Sequence, residues 1–140
     1  MKGVFPVLFT ETTDGTILIE VPDLEILTQG QNFNDAIQMA RDAIEVKCVS
    51  MEDMGETIPE PSKISNISIE NGNFANEGKT ITSLIDIDST EYRRKIDTKT
   101  IRRNVTLPSW LNYEAEHSGV NVSRVLQEAL IKVLGVENRI

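Results

Sequence analysis

The chain has 140 residues, 39% of them apolar and 26% charged, with a formal charge of −8. No apolar run approaches the roughly 18 residues of a membrane span, and a single cysteine, Cys48, excludes an internal disulfide. The charge is uneven: residues 1–98 carry 18 Asp/Glu against 8 Lys/Arg, net −10, and residues 99–140 carry 4 against 6, net +2.

That sign change predicts two parts with different partners. The acidic part repels nucleic acid and attracts basic surfaces, and the basic part can approach phosphate. The start, MKGVFPVLFTETTDG, has no apolar core of a secretory signal, so a reduced, cytoplasmic protein is expected. Val4–Thr10 (VFPVLFT) reads as a strand, Thr13-Asp14-Gly15 as a turn and Thr16–Val21 as the second arm of a hairpin. Pro22-Asp23 breaks the run, Leu24–Thr28 can form a third strand, and Gly30 ends it.

A helix follows, with Asn32 as N-cap and Asp35 in its first turn. Phe33, Ala36, Ile37, Ala40, Ala43, Ile44 and Cys48 recur every three or four residues and make one apolar face. Cys48 is expected as a small core residue. Asp35, Gln38, Arg41, Asp42 and Glu45 are expected toward water. Gly55 is a stop signal, and Pro59-Glu60-Pro61-Ser62 makes a rigid exit. Residues 63–79 are polar, with Ile67 and Ile69 available for a short edge strand. Ile81–Ile87 reads as a better strand, and Ser89–Lys95 as a short helix capped by Ser89. Asp97-Thr98-Lys99 is the expected boundary between a domain 1–96 and a domain 97–140. The first domain is then an α+β layer, a mostly antiparallel sheet with one helix on one face.

In Arg102–Pro108 (RRNVTLP), Val105 and Leu107 alternate with Arg102, Asn104 and Thr106, so the two sets occupy opposite faces of a strand. Pro108 begins a helix Ser109–Ser118 with Trp110, Leu111 and Ala115 as apolar anchors, and Gly119 ends it. Asn121 or Ser123 caps a second helix, whose apolar face carries Val122, Val125, Leu126, Ala129, Leu130 and Val133. A strand and two helices of about forty residues bury too little alone, and a lone strand leaves both edges unpaired. Both problems vanish if two chains pair these strands antiparallel. A two-fold dimer is expected, with Val105, Leu107, Trp110, Leu111, Val125, Leu126 and Leu130 in its core. The paired ribbon would fit a DNA major groove, with Arg102, Asn104 and Thr106 toward the bases. Arg103 would meet phosphate, as would the start of the second helix at Asn121, Val122 and Ser123.

Strand, Pro, helix, Gly-x-Asn-x-Ser, helix resembles the ribbon-helix-helix repressors over Thr100–Leu134. Its first helix, between Pro108 and Gly119, is shorter than is usual in that family by about one turn. The N-terminal half resembles the HicB antitoxins of type II toxin–antitoxin systems. The residues that carry this are the hairpin, the bend Val21-Pro22-Asp23-Leu24, Gly30, the stripe Ala36/Ala40/Ala43 and Pro59-Glu60-Pro61-Ser62. After the bend the family usually has Pro-Gly-Cys, where this chain has Glu25-Ile26-Leu27, so nothing at those positions carries over.

The resemblance implies a degenerate, partial RNase H-like domain that binds and blocks a small basic mRNA-cleaving toxin of the HicA type. It also implies a protein that represses its own operon at a palindromic operator, as a homodimer or as a higher oligomer with toxin. Glu20 and Asp23 are the acidic residues first considered as toxin contacts. Neither cofactor, metal nor membrane is expected. A ligand-sensing regulator without a toxin is the alternative function. A Mg²⁺-dependent nuclease is the third, with Glu20, Asp23, Glu45, Asp86 and Asp88 as its available carboxylates. No enzyme is expected: Asp86 and Asp88 alternate with Ile85 and Ile87 as on a solvated strand face. The lone His117 sits near a helix end, where it can meet terminal carbonyls. Ser109 and Ser123 read as helix-start residues rather than nucleophiles.

Overall fold

Extended, β-branched runs separated by turn residues build the first half of the chain. In the computed structural model, which describes residues 1–139, they are β1 (Lys2–Glu11), β2 (Ile17–Val21), β3 (Ile26–Gly30) and β4 (Lys79–Asp88). The helices are α1 (Phe33–Asp53), α2 (Ser89–Ile96), α3 (Ser109–Ser118) and α4 (Val122–Leu134). Two compact units result, Met1–Ile96 and the residues from Asp97 onward.

The first unit is an antiparallel sheet in the order β3-β2-β1-β4. The β1–β2 hairpin closes where Asp14 Oδ1 accepts from Thr12 Oγ1 (2.5 Å) and from the Thr16 N–H (3.0 Å). Gly15 there takes φ +90°, a conformation glycine adopts without strain. Proline is unusual in a central strand. Pro6 is tolerated because β1 pairs with β2 only from Leu8 to Glu11. Toward β4, N–H groups of odd-numbered β1 residues are used instead.

Period two then sorts the side chains. Phe5, Val7, Phe9, Ile17, Ile19, Val21, Ile85 and Ile87 face α1 and are buried, together with Ala36, Ala40, Ile44 and Cys48 of the helix. Asn32 caps α1 by accepting from the Asp35 N–H (2.8 Å), and Asp35 returns the favour to the Gln31 N–H (2.8 Å). The small helix residues allow a close approach to β3. A Cβ on Gly30 would lie 2.6 Å from the Ala36 Cα.

Five expectations need correction. The third strand begins at Ile26, because Pro22–Leu24 forms a 3-10 turn that buries Leu24. Ile67 and Ile69 form no edge strand. That segment is spent on turns, with the Gly72 N–H on Ile69 O and the Ala75 N–H on Gly72 O. Asp88, not Ser89, caps α2: its Oδ1 accepts from the N–H of Thr90 and of Glu91. Glu45 is buried against the end of β4 rather than exposed, while Phe33 and Ile37 of the predicted apolar face are partly in solvent. Residues 97–108 form no strand in the single chain, which offers them no pairing partner.

Candidate functional site

In the second unit, α3 ends at Gly119 with φ +71° and α4 is capped by Asn121, whose Oδ1 accepts from the Arg124 N–H (3.1 Å). The first intrahelical bond of α4 is Val125 N–H to Asn121 O. The N–H groups of Val122 and Ser123 therefore point out of the helix start without an intrahelical acceptor. Ser123 lies beside Arg124, which is tethered to Glu128 (3.1 Å). Arg102, Arg103, Asn104 and Thr106 are exposed along the extended segment that precedes α3.

No described residue of this unit is buried. Val105, Leu107, Leu111, Val125, Leu126 and Leu130 are 36–51% exposed, and Trp110 is 67% exposed. Leu107, Leu111, Ala115, Val120, Val122 and Val125 instead line an open apolar groove of about 400 Å³. Trp110 is not among its lining residues, so it covers nothing in the single chain. His117 meets the helix end as expected: its Nδ1 donates to the Tyr113 carbonyl (2.8 Å), and its ring stacks on Tyr113.

In the first unit the second face of the sheet is partly covered by the chain itself. Glu20 accepts from both the backbone N–H (2.8 Å) and the Nδ2 (2.6 Å) of Asn73. Gly72 packs on Leu8, which is buried. Asp23 accepts from the Ser62 N–H (2.9 Å) and the Ser62 hydroxyl (2.6 Å). The bend Val21–Leu24 and the segment Pro59–Ser62, far apart in sequence, are thus one hydrogen-bonded unit. Glu20 and Asp23 anchor loops, and neither presents an unengaged carboxylate.

The remaining carboxylates are also engaged one by one. Asp86 pairs with Arg41 (3.0 Å), and Asp88 caps α2. Burial pushes the Glu45 carboxyl up, and Lys95 and the Asp88 N–H offset this only in part. Among the described residues no three His, Cys, Asp or Glu converge as metal ligands would. Burial, with Glu52 nearby, also raises the Cys48 thiol and keeps it protonated. No helix among the described residues is long and apolar enough to cross a membrane.

Comparison with known proteins gives one family and three folds. The family model of a HicB-like antitoxin of bacterial toxin–antitoxin systems matches residues 5–128. A chain of a toxin–antitoxin complex from Streptococcus pneumoniae is 23% identical with TM-score 0.59, covering 94% of this chain and 99% of that one. The Burkholderia pseudomallei antitoxin HicB is 20% identical with TM-score 0.51, covering 95% and 97%. The antitoxin HicB3 is 23% identical with TM-score 0.50, covering 86% and 85%. No curated protein matches.

Proposed function

The chain belongs to the HicB-like antitoxin family of bacterial toxin–antitoxin systems, and from that premise we propose how its two units divide the work. The unit of residues 1–96 binds and blocks a HicA-type toxin. The unit of residues 97–140 pairs with a second copy as a ribbon-helix-helix and holds the operator of its own genes.

The observation that carries the second half is the absence of any buried residue among those described beyond residue 96. Burying Leu111, Val125, Leu126 and Leu130 stabilises by roughly 1.5–3 kcal/mol each. Across two copies that is on the order of 12–24 kcal/mol, against an association cost of about 4–15 kcal/mol. Burial therefore favours pairing, and pairing gives Arg102–Leu107 the ladder it lacks alone. Arg102, Asn104 and Thr106 then share the outer face, toward base edges. Arg103 and the N–H groups of Val122 and Ser123 lie toward phosphates, held in place by the Asn121 cap.

The toxin reading is supported by the family and by charge. A toxin that cleaves mRNA needs a positive working surface, and the net −10 of residues 1–98 complements it. Glu20 and Asp23 influence that surface through the loops they hold. The test has two arms. Arg102→Ala should cost roughly 1–3 kcal/mol of operator affinity and relax preference at one base pair; unaltered affinity rejects the groove assignment. The protein encoded beside this gene should co-purify with the chain. If it does not, the toxin assignment fails.

A further inference from the structure

β4 is a ten-residue edge strand, and its outer side is only half protected. The two ends of that statement come from α1. Arg41 Nε donates to the Asp86 carbonyl (3.1 Å), which fixes that carbonyl as pointing away from β1. N–H and C=O of one strand residue point the same way, and the direction alternates. The outward residues are therefore Thr80, Thr82, Leu84, Asp86 and Asp88. At Asp86 the edge is covered by Arg41, and at Asp88 the N–H is turned to the Glu45 carboxylate.

An open window of outward groups remains at Thr80, Thr82 and Leu84. It holds no proline and no charge, the usual protections of an edge. Aliphatic side chains flank it on both faces, Ile81 at 47% exposed and Leu84 at 51%.

We propose that this window pairs with the same window of a second copy, antiparallel about a two-fold axis through Thr82. That register sets Thr80 against Leu84, Thr82 against Thr82 and Leu84 against Thr80. Every outward N–H then meets an outward C=O. A second copy fits better than an arbitrary strand because the window ends match. One residue beyond Thr80–Leu84 pairing, Gly78 comes opposite Asp86 of the second copy, and glycine leaves room there for Arg41. Lys79 comes opposite Ile85, adjacent to the second copy's Asp86, so the register brings opposite charges together. The two sheets become one continuous sheet, each helix α1 on the same face. Most of the acidic charge lies farther away than the Debye length of about 8 Å and is screened at physiological salt.

The pairing is read directly in the full-length chain. Paired antiparallel residues of this kind have Cα atoms about 5.5 Å apart, within disulfide range. Thr82→Cys should form a chain-to-chain disulfide under mild oxidation, while Glu25→Cys, on the exposed bend before the opposite edge strand, should not. Cross-linking no greater at 82 than at 25 overturns the proposal. Amide exchange on the unmodified chain is the second readout. Thr80, Thr82 and Leu84 should be protected at high concentration and lose protection on dilution or in Leu84→Lys, while Ile81 and Ser83 stay protected through β1. Amides of the window that exchange freely at all concentrations, or that gain protection only when a toxin is added, overturn it.

Discussion

At the scale of single residues, three positions concentrate the physics. Gly30 is one. A methyl there meets the backbone of Ala36 rather than a flexible side chain, so Gly30→Ala should cost about 1–3 kcal/mol, as overpacking does, read as a lowered denaturation midpoint. Glu45 is another. Its folded pKa lies above its unfolded value because burial disfavours the charge. The contribution it makes to stability is full below the unfolded value and is lost as pH rises through the folded one. Glu45→Gln should therefore raise the thermal midpoint at pH 7, and the gain should vanish below about pH 4.5. An unchanged difference across that range would contradict the burial argument. Glu25 is the third, a non-glycine residue at φ +54° closing the Pro22–Leu24 turn. Glu25→Gly removes a conformational cost of roughly 1–2 kcal/mol and adds chain entropy to the unfolded state of up to about 1 kcal/mol, so a small net stabilisation is expected by chemical denaturation.

At the scale of elements, local signals and long-range ones separate cleanly. The hairpin turn, α1 with its Asn32 cap, α3 ending at Gly119 and α4 capped by Asn121 all rest on side chains within four residues of the backbone they satisfy. They were legible in the sequence for that reason. Asn121→Ala should cost about 0.5–2 kcal/mol of α4 stability, seen as faster amide exchange in its first turn. What escaped is non-local. Nothing near Glu45 announces that β4 and α2 will close over it. Ser89 has the chemistry of a cap, but Asp88 precedes it at the position from which a side chain reaches the next N–H groups. Residues 63–78 show no periodicity because their place is set by Glu20 through Asn73, 53 residues apart. Glu20→Gln should free this segment, exposing Leu8 and increasing dye binding or proteolysis within residues 63–78. If that segment stays protected, Glu20 is not its anchor.

At the scale of the whole molecule, the two units differ in kind. Residues 1–96 own a core of large aliphatic and aromatic side chains between sheet and helix. The residues beyond own two well-capped helices and nothing buried among the residues described. Sequence periodicity identified the apolar face of α4 and the alternation before Pro108. Trp110 shows the limit of that reading: helical spacing places it near the apolar side, yet it lines no groove in the single chain. Whether a face is covered depends on a second molecule, which no periodicity within one chain describes. The family assignment supplies the biological setting, and the unburied faces supply the physical demand for pairing.

The account stands or falls on that demand. The most direct measurement is sedimentation equilibrium of the full-length chain at micromolar concentration, in the Leu84→Lys background so that β4 edges contribute nothing. The account predicts a dimer, held together by residues 100–134. A stable monomer in which the amides of α3 and α4 remain protected would contradict it.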